Sequence, residues 1–360
     1  MANYLGLVFN TEGSAYGSDM FAQGHSPQYF IQTKEHEANL NLAESDEDSL
    51  STEIPRGAYP EPEGSATMSA HTKGAPTLMY SLLGNYVFTE DAVEVTLSDG
   101  TKVDRNLHEF WMGENSELPD YCGSFTYGDF MRKTIYGGVT DSLTWTAGLE
   151  KTEVELGFVY RHELSQKINI ESIRQNFNVL QALPLVGYDY AASLTILENN
   201  SLVANCFKEV SIEVNNNLIT GDDIRCLGQR KYGIRPSSES KEIEISLTTK
   251  FDRRNYEIIM AAMYGNANVD SDGWYGLEDC KTFTAKFELY ASACTEEAEA
   301  IRFIFPCCYV TVDSITAENN NIEATIKLKP NNSRKVTLNN GTKINTPMYV
   351  RVRTEADELE

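Results

Sequence analysis

Apolar and polar positions alternate with a period of two along much of this chain, the pattern of strands half-buried in a sheet. Over residues 142–160, Leu143, Trp145 and Ala147, then Val154, Leu156, Phe158 and Tyr160, fall on one face. That predicts a hairpin turning near residues 148–151. Residues 310–328 echo it, with Ile322, Ala324, Ile326 and Leu328 on one face and a turn at Asn319, Asn320 and Asn321. Val210, Ile212 and Val214 mark another half-buried strand in K-E-V-S-I-E-V-N-N-N, residues 208–217. Residues 29–42 read as a polar strand, Ile31, Thr33, Glu35 and Glu37 alternating with Gln32, Lys34 and His36. One or both of its faces are expected to meet solvent. A last strand-like piece covers residues 348–352.

Helical spacing occurs in two short places. Pro76 suits the first turn of a helix that Gly84 ends, with Leu78 and Leu82 on one face and Met79 and Leu83 beside them. In the second, Asp252 is a plausible N-cap, Gly265 the terminator, and Ile258, Ile259, Ala262 and Met263 the buried stripe. Helices of about three turns are marginal alone, so each must lean on a sheet.

These landmarks come in two similar sets. G-A-Y-P at Gly57 is matched by G-I-R-P at Gly233, L-L-G-N ending at Asn85 by M-Y-G-N ending at Asn266, and D-S-L-T at Asp141 by D-S-I-T at Asp313. The order is the same and the offset is about 170 to 180 residues, the signature of an internal repeat. The expected fold is mainly β: two duplicated β-sandwich or half-barrel domains, each with one short flanking helix. The first spans residues 1–165 and the second 166–330, each long enough to bury its own core. Residues 331–360 form a C-terminal extension. Residues 1–28, rich in Gly, Ser and Ala, read as an extended N-terminal arm rather than a core strand. Residues 43–64 form a long acidic loop, and residues 217–241 a more basic counterpart.

Charge narrows the function classes. Against 53 acids stand 30 bases, a formal net charge of -23 over 360 residues. That excludes the basic footprint of a nucleic-acid gripper and opposes docking on anionic lipid, though it suits a wall that repels DNA. No stretch is long and apolar enough for a membrane helix, and the first residues lack the basic and apolar regions of a signal peptide, so neither is expected. Seven cysteines without framework spacing fit reduced thiols in a cytosolic setting.

Motifs for catalysis are missing. The five histidines, His25, His36, His71, His108 and His162, form no zinc spacing, and neither a nucleophile elbow nor a phosphate loop occurs. Asp270-Ser271-Asp272-Gly273 opens like a calcium loop but lacks the later carboxylates. Adjacent Cys307 and Cys308 point to opposite faces of a strand, one toward the core and the other outward or to an interface. Trp111, Trp145 and Trp274 are expected in the core rather than as a sugar platform. The expectation is a non-enzyme with no cofactor and no metal.

Several stretches together carry a family resemblance. They are the Gly/Ser-rich start, the polar strand with its long loop, and G-A-Y-P-E-P-E-G-S-A-T-M-S followed by a helix ending L-L-G-N. S-F-T-Y-G-D-F-M-R-K-T-I-Y-G-G-V-T-D-S-L-T and F-K-E-V-S-I-E-V-N-N-N-L-I-T-G complete the set. Over residues 1–330 the chain resembles the tail tube proteins of long-tailed, siphovirus-like bacteriophages, of the large type with two tube domains per chain. The resemblance implies a virion protein, made in the host cytoplasm, whose homotrimers form pseudo-hexameric rings that stack into a tube for DNA ejection. The sheets would join edge to edge and line the bore. Implied partners are further copies of itself and the tape measure, tail terminator and baseplate proteins, with DNA passing unbound and no membrane involved. Glu35, Glu37, Glu44, Glu209 and Glu213 are the candidate lumen-facing acids. Asp46, Glu47, Asp48, Glu53 and Arg56 in one loop, and Arg225, Arg230, Lys231 and Arg235 in the other, are the candidate ring-stacking residues. The alternatives are a monomeric cell-surface ligand- or carbohydrate-binding β-sandwich protein and a tail terminator or baseplate protein of related fold.

Overall fold

The computed structural model describes residues 3–10, 15–42, 60–97, 99–114, 117–128, 131–150, 152–167, 180, 184–197, 203–204, 206–224, 232–250, 255, 284–292, 299–318 and 321–359. The fold is mainly β, as the alternation predicts. The first strands are β1 (Asn3–Phe9), β2 (Ile31–Leu42) and β3 (Pro60–Ser69). Helix α1 (Ala75–Leu83) follows, then β4 (Gly84–Thr96), β5 (Lys102–Met112), β6 (Tyr121–Tyr127), β7 (Met131–Gly148), β8 (Thr152–Val159) and β9 (His162–Lys167). Next come β10 (Tyr190–Ile196), β11 (Val203–Ala204), β12 (Glu209–Asn215), β13 (Glu242–Lys250), β14 (Thr284–Ala291), β15 (Ala300–Glu318) and β16 (Asn321–Pro330). The short β17 (Lys335–Thr337) and β18 (Lys343–Asn345) form a separate hairpin before β19 (Tyr349–Thr354).

Antiparallel pairing runs β1–β6, β6–β7, β7–β8, β8–β3, β3–β2 and back from β2 to β1. The circuit is a closed six-stranded barrel, although β1 covers β2 over Ile31, Gln32 and Thr33 alone. A second run, β10–β14–β15–β16–β13–β12, follows the same neighbour order. Among the described residues it does not close.

Two long strands serve both ends of their runs. β7 pairs with β6 and β9 in its first half, and with β8 and β12 in its second. Its change of partners falls at Gly137 and Gly138. Gly137 has φ +62, and a Cβ on Gly138 would lie 2.5 Å from the ring of Tyr121. Only glycine fits both demands. β15 likewise pairs first with β14 and β19, then with β16 alone.

α1 matches its expectation: Pro76 lies in the first turn, and Gly84 ends the helix in the left-handed conformation at φ 73. Leu78, Met79, Leu82 and Leu83 are buried, and the helix packs on β4, β5 and β7. The second expected helix lies outside the described residues apart from Asn255.

Three expectations need correction. Residues 3–9, read as part of an arm, form a barrel strand, because Leu5, Leu7 and Phe9 share a buried face. The C-terminal segment is not a simple appendage, since β19 is zipped between β5 and β15. Nor does each half have its own core: one buried cluster runs from Leu5 and Phe9 through Trp145 to Phe303 and Val352. In addition, residues 60–64, expected in the acidic loop, belong to β3.

Candidate functional site: an acid-rich sheet face with two bare margins

β12 adds to the free side of β7, so the two runs merge into one eight-stranded sheet. Its order is β2–β3–β8–β7–β12–β13–β16–β15. Directly opposed residues share a face, so the registers sort inside from outside. Met68, Val154, Trp145, Ile212, Ile245, Leu328 and Val310 form one buried row across seven strands. One residue along, Glu35, Thr67, Glu155, Thr144, Glu213 and Glu244 form a polar row on the other face. A second polar row is Glu37, Ser65, Gly157, Ser142, Asn215 and Glu242. Strict alternation thus gives a dry side and a wet side to the whole sheet.

Four of the sequence-derived acids, Glu35, Glu37, Glu209 and Glu213, share the wet side and are exposed. Glu44 lies outside the described residues. Glu155, Glu242 and Glu244 join them. Sequence reasoning missed these, although E-V-E-L at 153–156 and E-I-E-I at 242–245 carry the same alternation. Lysines offset part of the charge: Lys34 pairs with Glu153 at 2.6 Å, Lys327 with Glu244 at 2.7 Å, and Lys208 with Glu323. Donating to the Glu244 carboxylate holds the Lys327 ammonium above its ordinary pKa. Glu35, Glu155 and Glu209 have no ion pair among the described residues, and Glu213 directly opposes Glu244. Like charges directly opposite each other cost stability, and here Lys327, bonded to Glu244 and near Glu213, offsets part of that cost.

Both outer strands of the sheet have bare margins. β1 covers β2 only at Thr33, Gln32 and Ile31, so among the described residues no strand but β3 pairs with β2 beyond Thr33, and the Lys133 ammonium donates to the Ala38 carbonyl at 2.6 Å. At the far end, β14 reaches β15 only as far as Tyr309, and β16 alone accompanies residues 310–318.

Of the proposed stacking residues, only Arg235 is described, and it is anchored in its own chain. Its guanidinium donates to Asp120 at 3.0 Å, to the Leu118 carbonyl at 3.2 Å and to Glu117 at 3.5 Å. Asp46, Glu47, Asp48, Glu53, Arg56, Arg225, Arg230 and Lys231 lie outside the described residues. So do Asp270 to Gly273 and Trp274. Among the described residues no His, Cys, Asp or Glu group could hold a metal. Trp145 is a core residue, as expected. Cys307 and Cys308 are both buried, correcting the outward placement of one, because β15 is covered on both faces there. No protein-family model and no curated protein matches this chain.

Proposed function

We propose that the chain is a structural protein of a phage tail, polymerising as stacked rings into a hollow tube whose acidic lumen passes viral DNA. The observation that carries this is the single sheet face, with polar rows across six of its eight strands and with Glu35, Glu155 and Glu209 free of ion pairs among the described residues, whose outer strands β2 and β15 are each left partly without a neighbouring strand. The face is broad, and its described hollow, between Glu213, Glu242, Glu244, Lys241 and Lys327, is lined by the same acids and lysines. The shared neighbour order of the two six-strand runs supports the reading of two duplicated tube domains per chain.

The dimensions agree. Three copies would contribute about 24 strands to a ring, and at about 4.8 Å spacing and a tilt near 40° the backbone circle is about 50 Å across. Side chains reduce the bore to roughly 35–40 Å, wide enough for a hydrated DNA duplex. Carboxylates on that wall give phosphates no cation to release and so no place to adhere. A homotrimer with pseudo-sixfold symmetry satisfies both margins by ring closure.

Negative-stain microscopy of the purified protein tests this directly. Hollow tubes or rings are expected. A protein that stays a dispersed monomer at high concentration, or forms only solid aggregates, would overturn the proposal. Arrest at one ring would instead favour a tail terminator.

A further inference from the structure

The motif D-S-L-T at Asp141 and its copy D-S-I-T at Asp313 occupy equivalent places in the two runs, yet their surroundings differ. From Ser142 the pairing leads through Gly157 and Ser65 to Glu37. From Ser314 it leads through Thr325 and Thr248 to Glu209. β2 and β12 are therefore counterparts, and Ala38 takes the place of Val210.

Leu143 is 1% exposed, but its counterpart Ile315 is 54% exposed. Val154, opposite Trp145, is fully buried, but its counterpart Ile322, opposite Ala317, is 40% exposed. For Leu143 and Ile315 the difference is one strand. β12 lies along the edge of β7, with Val214 opposite Leu143 and Glu213 opposite Thr144. Nothing described lies along the matching edge of β15, where Ile315 stands in solvent beside unpaired backbone.

We propose that the strand missing from β15 is β2 of a second copy of this chain, seated in the register that β12 takes on β7. Transposed residue for residue, Leu42 of one copy opposes Ile315 of the next, Asn41 opposes Thr316, and Leu40 opposes Ala317. The apolar order fits, since Ala38, Leu40 and Leu42 stand where β12 has Val210, Ile212 and Val214. β2 and β15 are the two ends of the eight-stranded sheet, so the contact is head to tail and continues from copy to copy. The same pairing would bring Ile315 toward the burial of Leu143. This seam presupposes the self-assembly proposed above and specifies its register.

Two variants with one added cysteine each, Asn41→Cys carrying a tag and Thr316→Cys without one, are mixed under mild oxidation. A cross-linked dimer containing one copy of each is expected only in the mixture, each variant alone serving as the control for the native cysteines. A tagged Asn39→Cys partner, shifted by two residues, should cross-link at least ten-fold more slowly. Equal rates for the shifted pair, or no cross-link at all, would overturn the register. Ile315→Asp provides a second arm: it is expected to melt within a few degrees of the wild type and to sediment as a monomer. Assembly like that of the wild type would overturn the seam. Hollow tubes without the cross-link would sink the seam and leave the conduit standing, whereas the cross-link in filaments without a lumen would do the reverse.

Discussion

The indole of Trp145 and the ring of Phe303 meet where the two six-strand runs join, with centroids 5.1 Å apart and planes inclined by 60°. The indole N–H also donates to the Tyr190 hydroxyl at 3.2 Å. Trp145 comes from β7, Phe303 from β15 and Tyr190 from β10, so three strands of one core converge there. Trp145→Ala should cost about 3–5 kcal/mol, the usual range for emptying a buried aromatic site. Urea unfolding followed by circular dichroism should show one cooperative transition for the wild type. Two separate transitions in the wild type would contradict a shared core.

Acidity should loosen the fold through His108. This side chain is fully buried, its Nε2–H donating to the Ala356 carbonyl at 3.0 Å and its Nδ1 accepting from the Tyr86 hydroxyl at 2.9 Å. Phe88 and Phe110 flank the ring, and Asp357 lies near enough to favour the proton. Burial nevertheless dominates and pushes its pKa from 6.5 down to about 4. Between those values the unfolded chain binds a proton that the folded chain refuses, so stability is lost as the pH falls through that window. The loss should be on the order of 2–3 kcal/mol by pH 4. His108→Gln should flatten this slope in denaturation curves recorded from pH 7 to pH 4.

The C-terminal strand is locked by a buried carboxylate. Glu109, wholly enclosed on β5, accepts from the Tyr349 hydroxyl and, at 3.1 Å, from the backbone N–H of Asn339. Tyr349→Phe removes one donor from a charged acceptor that water cannot reach. A loss of about 1.5–3 kcal/mol is expected in chemical denaturation. An unchanged midpoint would show that the contact contributes little.

On the wet side of the eight-stranded sheet a lysine separates like charges. Glu213 directly opposes Glu244, and Lys327 bonds Glu244 and lies near Glu213, so Lys327→Gln should lower the denaturation midpoint slightly, most clearly at low salt. Replacing Glu35, Glu155, Glu209 and Glu213 together by Lys should leave the fold intact but make assembled material retain DNA in a filter assay. That retention should fall steeply with added salt. Retention equal to that of the wild type would remove the electrostatic role of the face.

Local patterning made some elements readable and left others hidden. The β7–β8 hairpin, β12 and β16 bury one face each, so Leu143, Val154, Val210 and Ile326 announce them. The punctuation of Pro76 and Gly84 announces α1. β1 was obscured by the Gly- and Ser-rich stretch after it and by Gly6, which is glycine because a Cβ would lie 2.7 Å from Phe30 and Pro27. β5 is buried at five consecutive positions from Asn106 to Phe110, so it shows no alternation. Its second cover is β19, and no local rule indicates a partner so distant. For the wet face, the acids of β2 and β12 were legible as a group because each strand alternates. That β12 would seat on β7 of the same chain was not, because edge pairing is decided by tertiary contacts.

The distance along the chain between β5 and β19 sets a timetable for synthesis. Tyr349 follows Glu109 by 240 residues, which a ribosome adding about 5–20 residues per second covers in roughly 10–50 s. Throughout that interval the nascent β5 has one flank unsatisfied. Overexpression that crowds ribosomes on the message should therefore favour misjoined chains, and slower, cooler translation should favour the native product.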